Sequence, residues 1–241
     1  MTQLSVNVNK LATLRNSRGK NNPDVLKTTL DIISYGAQGI TMHPRPDGRH
    51  IRREDVYQIA KAIDVELNIE GYPDKNFLEM VKEVKPAQCT LVPDPPHVLT
   101  SNAGWAVAKN LQLLQETIAN LHARGIRTSI FIDPENFSAE DMQALPLTKT
   151  DRVELYTEHY AETYGTPHGE EVLNTYKKAA EIINKMGIDL NAGHDLDLNN
   201  LRHLIQVIPT IKEVSIGHAL ICDSLKYGLK ETIARYLACL R

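Results

Sequence analysis

The sequence predicts an α/β chain that closes into a (β/α)8, or TIM, barrel with extra helices. Two observations predict it. Short apolar runs rich in β-branched residues recur eight times, each followed by a longer stretch with helical spacing. No Ser/Gly-rich linker or run of charge divides the chain, so residues 1–241 read as one domain. Barrels of this class have about this length. The rival, an open doubly wound sheet, usually carries a Gly-rich phosphate loop after its first strand. The corresponding stretch here reads NVNKLATLRNSRG, without GxGxxG.

The strands fall at Leu4–Asn9, Gly39–His43, Glu66–Gly71, Gln88–Pro93, Arg127–Asp133, Arg152–Thr157, Asp189–His194 and Glu213–His218. Helical punctuation lies between them. Pro23-Asp24 opens a helix that stops before Gly36, and Asp74 caps one that runs toward Lys85. Ser138-Ala139-Glu140-Asp141 has capping-box form. Leu111, Leu114, Ile118 and Leu121 make one apolar face before Gly125; Leu173, Tyr176, Ala180 and Ile183 make another before Gly187. Gly36, Gly125 and Gly187 suit C′ positions, where φ is often positive. The stretch from Pro93 to Gly104 exceeds an ordinary βα loop and predicts a lid or an extra helix.

Composition is ordinary for a globular protein: 42% hydrophobic, 24% charged, net charge −3. That balance excludes a nucleic-acid footprint. Three cysteines without CxxC spacing exclude a disulfide framework and a zinc finger. No signal-peptide pattern or membrane-length apolar run occurs, so a cytoplasmic protein without membrane partners is expected.

In this fold, catalytic groups project from the C-terminal ends of the strands. Those ends carry Asn7 and Asn9, His43 with Arg45, Glu70, Thr100 with Ser101 beyond the fourth strand, Asp133, Glu154 with Glu158 and His159, Asn191 with His194, and Gly217-His218. The strand bodies are expected to be apolar. Glu70 sits inside LNIEG; a carboxylate held among apolar neighbours loses solvation, its pKa rises, and it suits general base work near neutral pH. His43 stands beside Arg45, Arg49 and His50, a setting for proton transfer next to a bound phosphate. Arg52 and Arg53 read as solvated helix-start residues. NAGHD and IGHAL repeat Gly-His after strands seven and eight, where barrels often bind phosphate through backbone N–H groups. Gly193 and Gly217 would let a ligand approach the backbone. No HxH or HExxH spacing appears, so no metal site is assigned; no strand end offers a convincing Schiff-base lysine, although Lys10 is close to the first.

The blocks VNVNKLATLRNSRG, GITMHPRPDGRHI, LNIEGYP, TLVPD, NAGHDL and SIGHALI together resemble the pyridoxine 5′-phosphate synthase family over essentially the whole chain. The resemblance implies a barrel with extra helices and a homo-octamer. It implies condensation of 1-deoxy-D-xylulose 5-phosphate with 3-amino-2-oxopropyl phosphate, giving the pyridine ring of vitamin B6, phosphate and water, without metal or organic cofactor. It makes Glu70 the central base, His43 a second proton-transfer group and His194 the general acid. Arg45, His50 and Thr100 would contact the deoxyxylulose phosphate. Asn7, Arg18, Asp195, Gly217 and His218 would contact the amino-ketone phosphate.

Two departures stand out. Many family members have Asp-His where this chain has Asn9-Lys10, and glycine where it has Asp195. An aspartate beside a phosphate repels it, so the Asp195 backbone is the expected contact. The competing readings are another sugar-phosphate barrel, an epimerase or aldolase, and a non-catalytic barrel that binds a phosphorylated metabolite. Retention of Glu70, His43 and His194 argues against both.

Overall fold

The computed structural model describes residues 1–93 and 104–241. Eight parallel strands close into a barrel in sequence order. They are β1 (Gln3–Asn7), β2 (Gly39–Met42), β3 (Glu66–Gly71), β4 (Gln88–Leu91), β5 (Arg127–Ile132), β6 (Arg152–Tyr156), β7 (Asp189–Gly193) and β8 (Ile211–Ile216). The barrel closes by β1–β8 pairing, with Leu4 opposite Val214 and Val6 opposite Ile216.

The helices among the described residues are α1 (Asn9–Asn16), α2 (Val25–Ser34), α3 (Arg53–Ala62), α4 (Lys75–Val84), α5 (Leu111–His122), α6 (Ala139–Ala144), α7 (Glu158–Thr163), α8 (Gly169–Lys185), α9 (Leu201–Val207), α10 (His218–Tyr227) and α11 (Leu229–Cys239). Their starts follow the sequence signals. Asp24 accepts from the Lys27 amide at 3.0 Å and Asp74 from the Phe77 amide at 2.9 Å. Ser138 and Asp141 form the expected reciprocal box. Gly36, Gly125 and Gly187 take φ of 110°, 73° and 78°, a region where a side chain is strained. Leu114, Ile118 and Leu121 of α5 are buried, as are Leu173, Tyr176, Ala180 and Ile183 of α8; Leu111 is only partly so.

Most strands end a residue or more before the sequence suggests. β1 stops at Asn7, because the Asn7 side chain accepts from the Asn9 amide at 3.0 Å and turns the chain into α1. His43, His194 and His218 likewise lie just past their strands. The expected lid falls mainly on residues 94–103, outside the described residues, as does Thr100.

The expectation of apolar strand bodies holds for one face only. Leu4, Val6, Ile40, Met42, Ile69, Leu91, Ile130, Val153, Leu155 and Leu190 are buried in the main core with the helix faces. The alternate residues face the lumen, and most are polar, with Phe131 near the mouth an exception. Three contacts prove the direction, because they join strands that are not neighbours. Asn7 of β1 reaches Glu70 of β3 at 3.5 Å, Thr90 of β4 reaches Glu154 of β6 at 3.4 Å, and Arg127 of β5 pairs with Glu66 of β3. Barrels of this class more often fill the lumen with branched aliphatic side chains. Here Asn68, Thr90, Ser129, Glu154, Asn191 and Glu213 are buried instead.

Candidate active site

The C-terminal mouth opens into a cavity of about 580 Å³. It brings together Asn7, Asn9, Lys10, His43, Arg45, His50, Glu70, Glu154, Glu158, His194, Asp195, Gly217 and His218. Of the residues singled out in the sequence, Asp133, His159, Asn191 and Gly193 do not line it, and neither does Arg18, which is exposed beyond the end of α1.

Glu70 occupies the floor and is 8% exposed. Burial raises its pKa, the His194 imidazole opposes that and the Glu213 carboxylate adds to it, leaving the group pushed up to about 7. The Asn7 amide is fixed at both ends, its oxygen by the Asn9 amide and its nitrogen toward Glu70. Asn7 therefore orients the Glu70 carboxylate.

The HPRPDGRH loop forms one wall. Burial, Arg45, His50 and Arg49 depress His43 to about 3, so its ring is neutral near pH 7. Burial, Arg45 and Lys10 depress His50 to about 4. The Ile51 amide donates to His50 Nδ1 at 2.9 Å, which leaves the ring proton on Nε2 as a neutral donor. The loop is held from α1. Asn16 donates to the carbonyls of His50 (2.8 Å) and Arg49 (3.2 Å). Buried Arg15 donates to His50 O at 3.2 Å while paired with buried Asp55 of α3. Asn9 Oδ1 accepts from the His43 amide at 2.9 Å. Asn9, Arg15 and Asn16 of VNVNKLATLRNSRG thus scaffold this wall, a role their residue types alone do not announce. Arg52 and Arg53 make exposed ion pairs with Glu54 and Glu83, as expected of surface residues.

The opposite wall follows β7. His194 and Asp195 have φ of 87° and 57°, in the left-handed region that non-glycine residues seldom adopt. Neighbours hold them there. The buried Thr157 hydroxyl lies 2.7 Å from Gly193 O and 2.6 Å from His194 O, and Asn200 donates to Asp195 O at 3.2 Å. Asp195 accepts from His194 Nδ1 at 2.8 Å, and this bond holds the Asp195 carboxyl below its ordinary pKa. The His194 ring packs edge-on against Tyr156 at 4.8 Å.

The two Gly-His turns work differently from the expectation. A Cβ at Gly193 would sit 2.4 Å from Glu154 Oε1, so the missing side chain makes room for a carboxylate. A Cβ at Gly217 would sit 3.0 Å from the Asn7 Cβ, so that glycine makes room for β1. Ligand approach is not what either position first requires. Gly217 still precedes α10, whose first-turn amides lack intrahelical partners and open on the cavity at Ala219.

Glu154, near the end of β6, has no role assigned from the sequence. It is 3% exposed, and burial with the neighbouring Glu70 and Glu213 raises its pKa well above the usual range. The clue was available: a glutamate two residues before a strand end, inward by alternation. Thr157 had no such signal.

A closed parallel barrel whose mouth gathers a buried carboxylate of raised pKa, two imidazoles and cationic side chains has the fold and the side-chain set of an acid–base enzyme of the (β/α)8 class. The family model described as pyridoxal phosphate biosynthesis protein PdxJ matches residues 4–241, and the chain belongs to that family. It is 54% identical to the pyridoxine 5′-phosphate synthase of Porphyromonas gingivalis over 98% of each chain. It is 52% identical to the enzyme of that name from Phocaeicola vulgatus over 100% of each. Among solved structures, 3-keto-L-gulonate-6-phosphate decarboxylase from Vibrio cholerae superposes with TM-score 0.67 at 12% identity, covering 99% of this chain and 97% of that one. Phosphoribosyl anthranilate isomerase from Thermotoga maritima gives 0.63 at 13%, covering 100% and 98%. These two share the fold alone.

Proposed function

We propose that this chain makes pyridoxine 5′-phosphate by condensing 1-deoxy-D-xylulose 5-phosphate with 3-amino-2-oxopropyl phosphate, releasing phosphate and water. Relatives at 54% and 52% identity over nearly the whole chain carry that name. The observation that supports the reading best is Glu70. It is buried at the cavity floor and titrates near neutrality, in the same cavity as His43 and His194.

The chemistry needs that grouping. Amine addition to a ketone, dehydration, elimination and ring closure each move a proton. Glu70 takes protons from carbon and returns them, because its two protonation states are close in energy near pH 7. His43, neutral and lodged against Arg45, relays a second proton. His194 acts as the general acid, its Nδ1 bonded to Asp195 and its Nε2 left for the reacting oxygen. Glu154 lies beside the base and, kept protonated by burial, adds no second negative charge to the cavity floor. Arg45 and the His50 Nε2–H hold the deoxyxylulose phosphate, with Thr100 as a further contact. The α10 amides, Gly217 and His218 hold the second phosphate, with Asn7 and the Asp195 backbone alongside. Arg18, exposed outside the cavity, acts in this reading on a neighbouring subunit. A single barrel domain over residues 1–241, a homo-octamer and a cytoplasmic setting complete the proposal.

The test is direct. Purified protein with both substrates and no added metal should form pyridoxine 5′-phosphate over many turnovers, read by absorbance and mass. Glu70→Gln should bind both phosphates and lose at least about 10³-fold in kcat. Normal turnover by that variant would refute the assignment of the base. Light scattering of the eluted protein tests the octamer.

A further inference from the structure

We propose that the side chains of Glu158 and Asp195 form an anionic notch that recognises the ammonium group of the amino-ketone substrate. The proposal rests on the synthase reading above and deepens it.

Three observations carry it. The first is proximity. One ligating atom each from Glu158, His194 and Asp195 all lie within 4.8 Å of one another. A single ammonium group lying between Glu158 and Asp195 can reach both carboxylates. The residues come from two loops, the start of α7 and the turn after β7, so no spacing along the chain reveals the cluster.

The second is the charge layout of the cavity. Lys10, Arg45 and Arg49 line it together with Glu158 and Asp195. The cationic groups suit the phosphates of both substrates. The exposed edge of a phosphate site is a poor place for two carboxylates unless they face something positive. One substrate supplies that group: the amino-ketone phosphate is a zwitterion, with phosphate at one end and ammonium at the other. Glu158 and Asp195 flank His194, next to the turns assigned to its phosphate. The aspartate that seems misplaced beside a phosphate is well placed for an amine. Lys10, within electrostatic reach of Asp195, balances the notch without substrate.

The third is preorganisation. The left-handed turn that presents Asp195 is pinned by Thr157 and Asn200. Beside it, the Tyr156 ring packs edge-on against His194 at 4.8 Å and limits how far the imidazole can move. A fixed pair of carboxylates selects a cation by charge and position rather than by rearrangement.

The experiment compares two competitive inhibitors, 3-aminopropyl phosphate and propyl phosphate, which differ by the ammonium group. Wild-type enzyme should bind the amino compound about tenfold or more tightly. Glu158→Gln and Asp195→Asn should each shrink that preference, and the double variant should remove it, with propyl phosphate inhibition and the KM for deoxyxylulose phosphate within about twofold of wild type. Three results would overturn the proposal: no preference in the wild type, a preference that survives in the double variant, or equal weakening of both inhibitors. Loss of activity with a chelator, restored by a divalent cation, would also overturn it and give the three ligands to a metal. Failure of the synthase reading looks different: the wild type itself would make no product.

Discussion

At the scale of single residues, the site is governed by who is charged near pH 7. His43 and His50, held at about 3 and about 4, stay neutral across the working range. Glu70, raised to about 7, is left to titrate there. A base must be ionised to act, so kcat/KM should fall about tenfold per unit below pH 7, once the substrates' own phosphate ionisation near 6 is corrected for. A profile flat from pH 5.5 to 7.5 would remove Glu70 from the role. Glu70 and His43 were legible in the chain because each is a polar residue at the end of an apolar run. Thr157 was not: a threonine after a strand is commonplace, and only the fold brings its hydroxyl against two carbonyls of the next strand's turn.

At the scale of elements, the mouth is built by braces between neighbours. Thr157, at the end of β6, ties down the left-handed turn after β7. Thr157→Val loses the one proton shared by Gly193 O and His194 O, which costs about 1 kcal/mol. The larger effect should be on kcat, lowered about 10- to 100-fold with KM little changed, since the His194 geometry is what relaxes. A KM raised as much as kcat is lowered would mean that the variant loses substrate binding rather than the His194 geometry. Asn16 of α1 braces the cationic loop in the same way. Asn16→Ala should raise KM for the deoxyxylulose phosphate several-fold and leave the amino-ketone KM alone, read by steady-state kinetics with each substrate varied. Gly193→Ala drives a methyl against the Glu154 carboxylate and should lower activity and Tm; the paired change Glu154→Asp, which withdraws the oxygen, should restore part of the Tm.

At the scale of the whole molecule, the polar lumen sets how stability follows pH. Glu154 and Glu213 are buried with pKa values raised by burial, Glu213 to about 7. The folded chain then holds protons that the unfolded chain releases above about 4.5. Stability from this source is present at low pH and is lost as pH rises toward and through neutrality. The depressed histidines work the other way, losing stability as pH falls below 6.5. Glu154→Gln keeps the shape and cannot ionise. It should leave Tm nearly unchanged at pH 5 and raise it by about 3 °C or more at pH 8, by differential scanning calorimetry. A lower Tm at pH 8 would mean that the ionised carboxylate is well solvated in the lumen.

The order of strands and helices was determined by the sequence itself, because each element carries its own periodicity and its own caps. So was the gathering of Asn7, His43, Glu70 and His194 around one cavity, since barrel closure sends every strand end to one mouth. Asp24, Asp74, Ser138 and the C′ glycines act within a few residues of their own position, and such effects survive in a linear reading. Three matters were settled only by the tertiary structure. The lumen is polar because alternate strand residues face inward, and the linear pattern does not say which face the helices cover. Gly193 and Gly217 are small for the sake of Glu154 and Asn7, which are far away in the chain. Glu158, His194 and Asp195 meet because β6 and β7 are neighbours in the closed sheet. Each depends on contact between segments distant in sequence, and contact of that kind exists only once the barrel has closed.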